Sequence, residues 1–232
     1  MKRVVILQPS YLPWLGYFDQ INKADIFVFL DDVQYSKGDW RNRNKIKVVN
    51  DEWVYLTAPI LTTGFFLSRI NQVKIDYKSN WTRKHLSTFS WNYRKAYFFP
   101  EVFTILQEIL LKKIEFLSDL NIELILKFSE YLSIKNCKFL KSSQLNIGSY
   151  KNSTERLIKI CKLLEATHYL SGGAAKEYLN ENLFIENNIV LEYQNYEHPI
   201  YKQLGDNFIP YLSVVDLLFN EGKKSLEILT NK

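Results

Sequence analysis

Two consecutive carboxylates, Asp31 and Asp32, follow directly on the strand-like run Asp25–Leu30 (DIFVFL). At the end of a buried strand such a pair is costly unless it is solvated, ligated or paired. Either residue could orient a nucleophilic amine, hold Mg²⁺ through its oxygens, or act as a general base. The plainer alternative is an Asp pair capping a turn. Gln34 and Tyr35 carry the segment on toward Trp40-Arg41-Asn42-Arg43-Asn44, a run rich in hydrogen-bond donors. Arg41 and Arg43 are the obvious partners for the Asp pair, and their forked guanidiniums suit phosphate or carboxylate. Ser171-Gly172-Gly173, ahead of an expected helix, offers free N–H groups to a phosphate, or is an ordinary strand-to-helix turn.

Two further segments belong with these. Gln8, Tyr11, Trp14 and Gly16 follow the first apolar run; Gly16 inside a helix costs ~1 kcal/mol relative to Ala, which a close approach of ligand or strand would explain. Tyr193 to Gln203 interleaves Tyr, Gln, Glu and His. Its Tyr201 and Gln203 suit a hydroxyl-rich or ring-shaped ligand, because Tyr brings an apolar face and a polar tip. Of His85, His168 and His198, the last is the best placed for proton transfer. Cys161 falls within a helix and reads as core.

The elements that must position these groups are legible at both ends of the chain. Val4–Leu7 is a short apolar, β-branched run, the pattern of a strand buried on both faces. Pro9 and Pro13 forbid helix and ladder between them, and Trp14–Ala24 then carries apolar residues at helical spacing, with Pro13 near its first turn. Strand, helix and the strand at 25–30 form a βαβ unit, which predicts a mostly parallel, Rossmann-like α/β sheet. Trp53–Pro59 and Ile70–Ile75 read as further strands, with a polar loop at Thr62-Thr63-Gly64 between them. A helical insertion over about 98–135 breaks near Ser118–Asn121. The α/β alternation resumes over 136–232. Strands are expected at 137–140, 167–170 and 189–193, and helices at 152–164 (N-cap Ser153 or Thr154), 174–179 and 216–219, before a Lys-rich tail. In a parallel sheet, ligands bind beyond the carboxyl ends of the strands. That rule selects Gln8–Gly16, Asp31–Tyr35 and Ser171–Gly173.

Composition excludes several classes. The 232 residues suit a single domain, 1–232. Eight glycines leave no G-x-G-x-x-G, P-loop or G-x-S-x-G. Cys137 and Cys161 form no C-x-x-C, and three histidines make a dedicated His-rich metal site unexpected. The N-terminal apolar run is too short for a signal peptide and no stretch is long enough for a membrane span, so a cytoplasmic protein without membrane contact is expected. The net charge of +5 is scattered Lys alternating with Glu, not the clustered footprint of a nucleic-acid binder. The aromatic share of 15% is high, and many of its Tyr and Trp fall in the polar segments at expected strand ends.

Taken together, I-L-Q-P-S-Y-L-P-W-L-G-Y-F at 6–18, D-I-F-V-F-L-D-D-V-Q-Y at 25–35, N-R-N-K-I at 42–46, Y-L-S-G-G at 169–173, H-P-I-Y-K-Q at 198–203 and F-I-P-Y-L-S-V-V-D-L-L-F at 208–219 resemble the WbqC-like family. The resemblance covers essentially the whole chain. It implies bacterial O-antigen or other surface-polysaccharide biosynthesis, with glycine transfer as the suggested reaction. The opening βαβ unit also resembles the start of nucleotidyltransferase and adenylate-forming folds, whose T/H-x-G-H turn holds ATP phosphates. Here Trp14 and Tyr17 stand where that motif has histidines. The analogy implies ATP with Mg²⁺ as cofactor, and an acyl adenylate captured by an amine.

The expected function is therefore a transferase that attaches an aminoacyl or acyl group to the amino group of a nucleotide-linked amino sugar. Asp31, Asp32 and His198 are the catalytic candidates. Arg41, Arg43 and the Ser171–Gly173 turn would hold phosphates, with Asn42 and Asn44 beside them, and Tyr11, Trp14, Tyr35 and Tyr201 would wall the sugar or base. The partners are the nucleotide sugar and an acyl or amino-acid donor, the one nucleic acid admitted being an aminoacyl-tRNA donor. The alternatives are a nucleotidyltransferase, or a nucleotide-sugar-binding protein without turnover.

Overall fold

The computed structural model describes residues 1–61 and 68–230; the loop expected at Thr62–Gly64 lies outside the described residues. β1 (Arg3–Leu7), α1 (Leu15–Lys23) and β2 (Ile26–Phe29) form the expected βαβ unit, with β1 and β2 parallel from Val4↔Ile26 to Leu7↔Phe29. The chain then makes an antiparallel hairpin of β3 (Arg43–Val48) and β4 (Glu52–Thr57). Asn50 and Asp51 at its turn both take positive φ, 73° and 57°, which their short polar side chains tolerate. Three helices follow: α2 (Trp81–Tyr93), α3 (Phe99–Leu111) and α4 (Leu117–Tyr131). β5 (Lys138–Lys141), α5 (Ser153–Leu163), β6 (His168–Ser171), α6 (Glu181–Glu186), β7 (Val190–Tyr193), α7 (Val214–Glu221) and α8 (Ser225–Leu229) complete the order.

The five-stranded sheet runs β5-β2-β1-β6-β7 and is parallel throughout. The period of two sends alternate side chains to opposite layers. Val5, Phe27 and Phe29 pack with α1, α2–α4 and α7. Val4, Ile6 and Val28 pack against α5 and α6, where Cys161 is fully buried. The fold is α/β and Rossmann-like, with a helical insertion on one face.

Several local expectations give way. Residues 70–75 are not a strand: Ile70–Gln72 is a 3-10 turn, and Lys74 and Ile75 make only isolated bridges, to Phe116 and Ile60. The 174–179 helix is a 3-10 segment, Gly173–Glu177. The N-cap of α5 is Asn152, which accepts from the Glu155 N–H, rather than Ser153 or Thr154. Helix α2, a narrow stripe of Trp81, His85, Phe89 and Tyr93 among polar residues, begins the insertion well before residue 98. Within the described part of the Lys-rich tail, Gly222–Lys224 form a 3-10 turn and Ser225–Leu229 form α8.

The helix break also moves, from Ser118–Asn121 to Lys112–Phe116, where Lys113 has φ 53°. Ser118 and Asn121 are instead buried inside α4. Asn121 Nδ2 donates to the carbonyls of Pro9 (3.1 Å) and Arg41 (2.7 Å), tying the loop after β1 to the start of the hairpin. Asn121→Leu strands both carbonyls. It is expected to cost about 1–3 kcal/mol in urea unfolding.

Candidate functional site

β1 is joined through α1 to β2 on one side and is flanked by β6 on the other. The carboxyl ends of β1 and β6 are thus a topological switch point, where doubly wound sheets open a crevice. A cavity of about 720 Å³ lies there, within the usual range for small-molecule sites. Gln8 and Ser10 reach it from β1, Gly172 and Gly173 from β6, and Trp40, Arg41, Asn44 and Lys45 from the hairpin; Gln194 and Tyr196 follow β7, and Tyr211 precedes α7. Backbone hydrogen bonds fix these segments. Val214 donates to the Pro13 carbonyl (2.8 Å), Ser213 to Lys45 (2.9 Å) and Tyr11 to Trp40 (3.1 Å). Asn44, itself buried, donates from Nδ2 to the Leu12 carbonyl at 2.7 Å.

The walls combine rings, amides and cations. Trp14 meets Tyr196 edge-on at 5.3 Å between centroids and Tyr211 at 6.0 Å. Gln20 Nε2 donates to Gln194 Oε1 (2.6 Å), and Gln194 Nε2 to Asp19 (2.7 Å) and the Gly16 carbonyl (2.9 Å). Arg41 donates to the Ser10 hydroxyl and pairs with Asp39 at 3.5 Å. Gln8 Oε1, Gln20 Oε1 and Arg41 Nε are buried with no hydrogen-bond partner among the described residues. Each such group costs about 1–3 kcal/mol. Three of them on residues lining one cavity mark it as a site for a polar ligand.

Gly16 has a steric reason. A Cβ there would stand 2.4 Å from the Trp14 indole, so the glycine lets that ring lie against the helix. Gly16→Ala is expected to displace Trp14 and lower stability by about 1–3 kcal/mol, a shift that thermal unfolding and tryptophan fluorescence would report together.

The structure gathers Gln8, Trp14, Arg41, Asn44, Gly172 and Gly173 around the cavity, with Gly16 directly behind. The other expected residues lie elsewhere. Asp31 is buried, accepting from the Ser143 N–H (2.9 Å) and hydroxyl (2.7 Å), and the Ser142 hydroxyl lies between both carboxylates. Asp32 is ion-paired with Arg156 of α5. The partners of the Asp pair are therefore Arg156, Ser142 and Ser143, not Arg41 and Arg43, because β5 pairs with β2 and its following residues cap the end of β2. So saturated a donor set does not suit Mg²⁺, and the described residues hold no group of three or more His, Cys, Asp or Glu able to bind a metal. Asp32→Ala would leave Arg156 buried and unpaired, costing about 3 kcal/mol. A stability loss in denaturant, with ligand binding at the cavity unchanged, would mark the pair as a structural clamp.

Tyr11 does not wall the cavity; it is fully buried, with its hydroxyl 2.9 Å from His85 Nδ1. Burial raises the Tyr11 phenol far above its ordinary range and lowers His85 to about 4. Tyr35 is buried beside Ser68, and Gln34 bridges to Arg69. Asn42 donates to the Ala58 carbonyl (3.0 Å), while Arg43 bonds the Gly38 carbonyl and lies over the Tyr55 ring at 4.6 Å. Ser171 is the buried last residue of β6. Tyr201 and Gln203 belong to an interior network described below.

His198 sits behind the aromatic wall, 4.9 Å from the Tyr211 ring. Its Nδ1 must donate to the Pro199 carbonyl (2.8 Å), because a carbonyl only accepts. Its Nε2 then accepts from the Tyr211 N–H (3.1 Å), where Tyr211 holds φ 58°. Both nitrogens are engaged in the neutral ring, and burial lowers its pKa.

Gln20, Lys45 and Tyr211 were not among the expected site residues, and Gln194 entered only as part of the 193–203 segment. Gln20 carries a signal, a polar side chain one turn beyond Gly16 on a helix packed on the sheet. Lys45 carries none. It becomes a cavity residue only because Arg43–Val48 pairs as a strand.

The model of the WbqC-like protein family matches residues 8–228. An uncharacterised protein of Mycobacterium tuberculosis, Rv1507c, is 38% identical over 232 residues, an alignment spanning 99% of this chain and 98% of that protein. No solved structure matches significantly. Among the described residues no helix is long and apolar enough to cross a membrane.

Proposed function

The chain belongs to the WbqC-like protein family, and from that premise we propose that it is a transferase of surface-polysaccharide biosynthesis. It attaches an aminoacyl or acyl group, such as glycyl, to the amino group of a nucleotide-linked amino sugar. The observation that supports this reading best is the chemistry of the switch-point cavity. Arg41 and Lys45 supply positive charge, the amides of Gln8, Gln20 and Gln194 suit hydroxyl and amide groups, and Trp14, Tyr196 and Tyr211 offer ring faces. That combination fits a polar ring carried on an anionic nucleotide.

No carboxylate or histidine stands among the described lining residues, so a reaction in this cavity uses an activated donor and a neutral amine. Two nearby cations favour the neutral form of the sugar amine. The amine nitrogen attacks the donor carbonyl carbon, negative charge collects on the carbonyl oxygen, and the carbon–leaving-group bond breaks as that charge returns. The nitrogen's surplus proton is lost with the leaving group, which is a ribose alkoxide from an aminoacyl-tRNA, a thiolate from an acyl-CoA, or AMP from an acyl adenylate.

The same lack of a general base favours a second reading, a nucleotide-sugar-binding protein without turnover. Incubation with UDP- and dTDP-amino sugars, together with ATP plus glycine, glycyl-tRNA or acyl-CoA donors, separates the two. The transferase predicts a mass gain on the sugar nucleotide. Tight binding with no mass gain from any donor would establish the second reading instead.

A further inference from the structure

On one face of the β3–β4 hairpin, Lys45 stands opposite Tyr55, and Trp53 opposite Lys47. Trp53, Tyr55 and the neighbouring Trp40 form a continuous ring cluster, with centroids 5.2 Å (Trp53–Tyr55) and 6.2 Å (Trp40–Tyr55) apart. All three are substantially exposed, Trp40 at 45% and Trp53 at 43%. Exposed aromatics so grouped, on a chain whose other large rings mostly fill the core, mark a binding face. The Lys45 ammonium sits among them, 4.2 Å from the Trp53 centroid, 5.7 Å from Tyr55 and 6.0 Å from Trp40. Neither Lys45 nor Arg43 makes an ion pair with a carboxylate among the described residues. Trp40 and Lys45 also line the switch-point cavity, so ring platform and cavity are one surface.

We propose that this hairpin face is the nucleoside diphosphate half of the binding site. The diphosphate lies between Arg41 and Lys45, and the base stacks on the Trp40–Trp53–Tyr55 platform, which directs the sugar into the cavity. The inference rests on the reading of the cavity as a nucleotide-sugar site, but not on the reaction. Two features carry it. Both cations line the cavity, Lys45 is paired with no carboxylate among the described residues, and Arg41, although 3.5 Å from Asp39, keeps a buried Nε without a partner, so that an anion between them finds donors to spare. The rings are open to solvent beside those cations, as base stacking requires. Each ring–cation contact also holds Lys45 in place before ligand arrives.

The test is calorimetric titration with UDP, dTDP, uridine, inorganic pyrophosphate and the free amino sugar. The protein is used as wild type, Trp53→Ala and Lys45→Ala, with unfolding curves to confirm that the variants fold. Wild type is expected to bind a nucleoside diphosphate at least tenfold tighter than pyrophosphate, with tryptophan quenching. Trp53→Ala should weaken the nucleoside diphosphate about tenfold and pyrophosphate by much less, the small loss reflecting a less firmly held Lys45. Lys45→Ala should weaken both and flatten the salt dependence. The proposal is overturned if folded variants bind UDP and dTDP as wild type does, or if pyrophosphate binds as tightly as either. It is equally overturned if no nucleoside diphosphate binds, or if a single-stranded oligonucleotide binds more tightly. Binding as expected with no acylated product would remove the transferase reading and leave this one standing.

Discussion

Asp216→Ala is expected to destabilise the protein by about 3–5 kcal/mol at pH 4, and by much less at pH 7. Asp216 lies in α7 and is fully buried. Its two oxygens accept from the hydroxyls of Tyr93 and Tyr201, each at 2.8 Å. Tyr93 in turn accepts from the Lys47 N–H (3.0 Å), and Gln203 Nε2 donates to the Tyr201 oxygen (3.2 Å). Gln203 also brackets Ile209, donating to its carbonyl and accepting from its N–H, each at 2.9 Å. One carboxyl therefore ties together α7, α2, the hairpin and the 196–211 segment that carries the cavity's aromatic wall. Truncation leaves two buried hydroxyls without acceptors and opens a void.

The pH dependence follows from the direction of the shift. Burial raises the Asp216 pKa from 3.8 to about 6. A group whose pKa is higher in the folded state contributes its full stability below the unfolded value, and loses it as pH rises through the folded one. Between pH 4, where the unfolded group is already partly ionised, and pH 7 this contribution falls by about 2 kcal/mol. The stability difference between wild type and Asp216→Ala cancels every other titrating group. It should shrink by about that amount between pH 4 and pH 7 in urea unfolding. Asp216→Asn, which resembles the protonated acid, should lose stability far less steeply than wild type over the same range. A difference that stays flat with pH would show that Asp216 ionises as readily in the fold as in the unfolded chain.

Arg41→Ala is expected to weaken nucleotide-sugar binding or turnover by at least about 100-fold, with the fold retained. The separation is possible because backbone and side chain at this position do different work. The Arg41 carbonyl is held by Asn121 Nδ2 whatever side chain stands there. The guanidinium faces the cavity, with Ser10 and Asp39 as its partners and Nε left without one. Arg41→Lys keeps the charge but loses the planar fork, and should recover only part of the affinity. Titration of both variants with a UDP-amino sugar, beside their unfolding midpoints, checks the expectation. Unaltered affinity in a folded Arg41→Ala protein would remove Arg41 from the site.

How much could be read in advance depended on whether the signal was local. The first βαβ unit was legible because Val4–Leu7, the two prolines and the 14–24 periodicity each constrain their own backbone. The rule that ligands sit beyond strand ends then chose Gln8–Gly16 and Ser171–Gly173, which meet at the cavity. Applied equally to Asp31–Tyr35, it brought in residues that lie on the far side of β1 from β6. Helix α2 escaped because polar residues separate its buried stripe. Ser118 and Asn121 read as a helix break because buried polar side chains in a helix look like breakers until their partners on other segments are known.

The sequence by itself determined the α/β class, the parallel sheet and membership of the family, since hydrophobic period and turn chemistry act over a few residues and the family motifs span the chain. Only the tertiary structure decided strand order, and strand order decided the site. Placing β5 beside β2 gives Asp31 and Asp32 their partners in Ser142, Ser143 and Arg156. Placing β6 beside β1 opens the cavity between Gln8 and Gly173. Which polar group is spent on the fold and which is left for a ligand depends on residues more than a hundred positions away, and no local pattern encodes that distance.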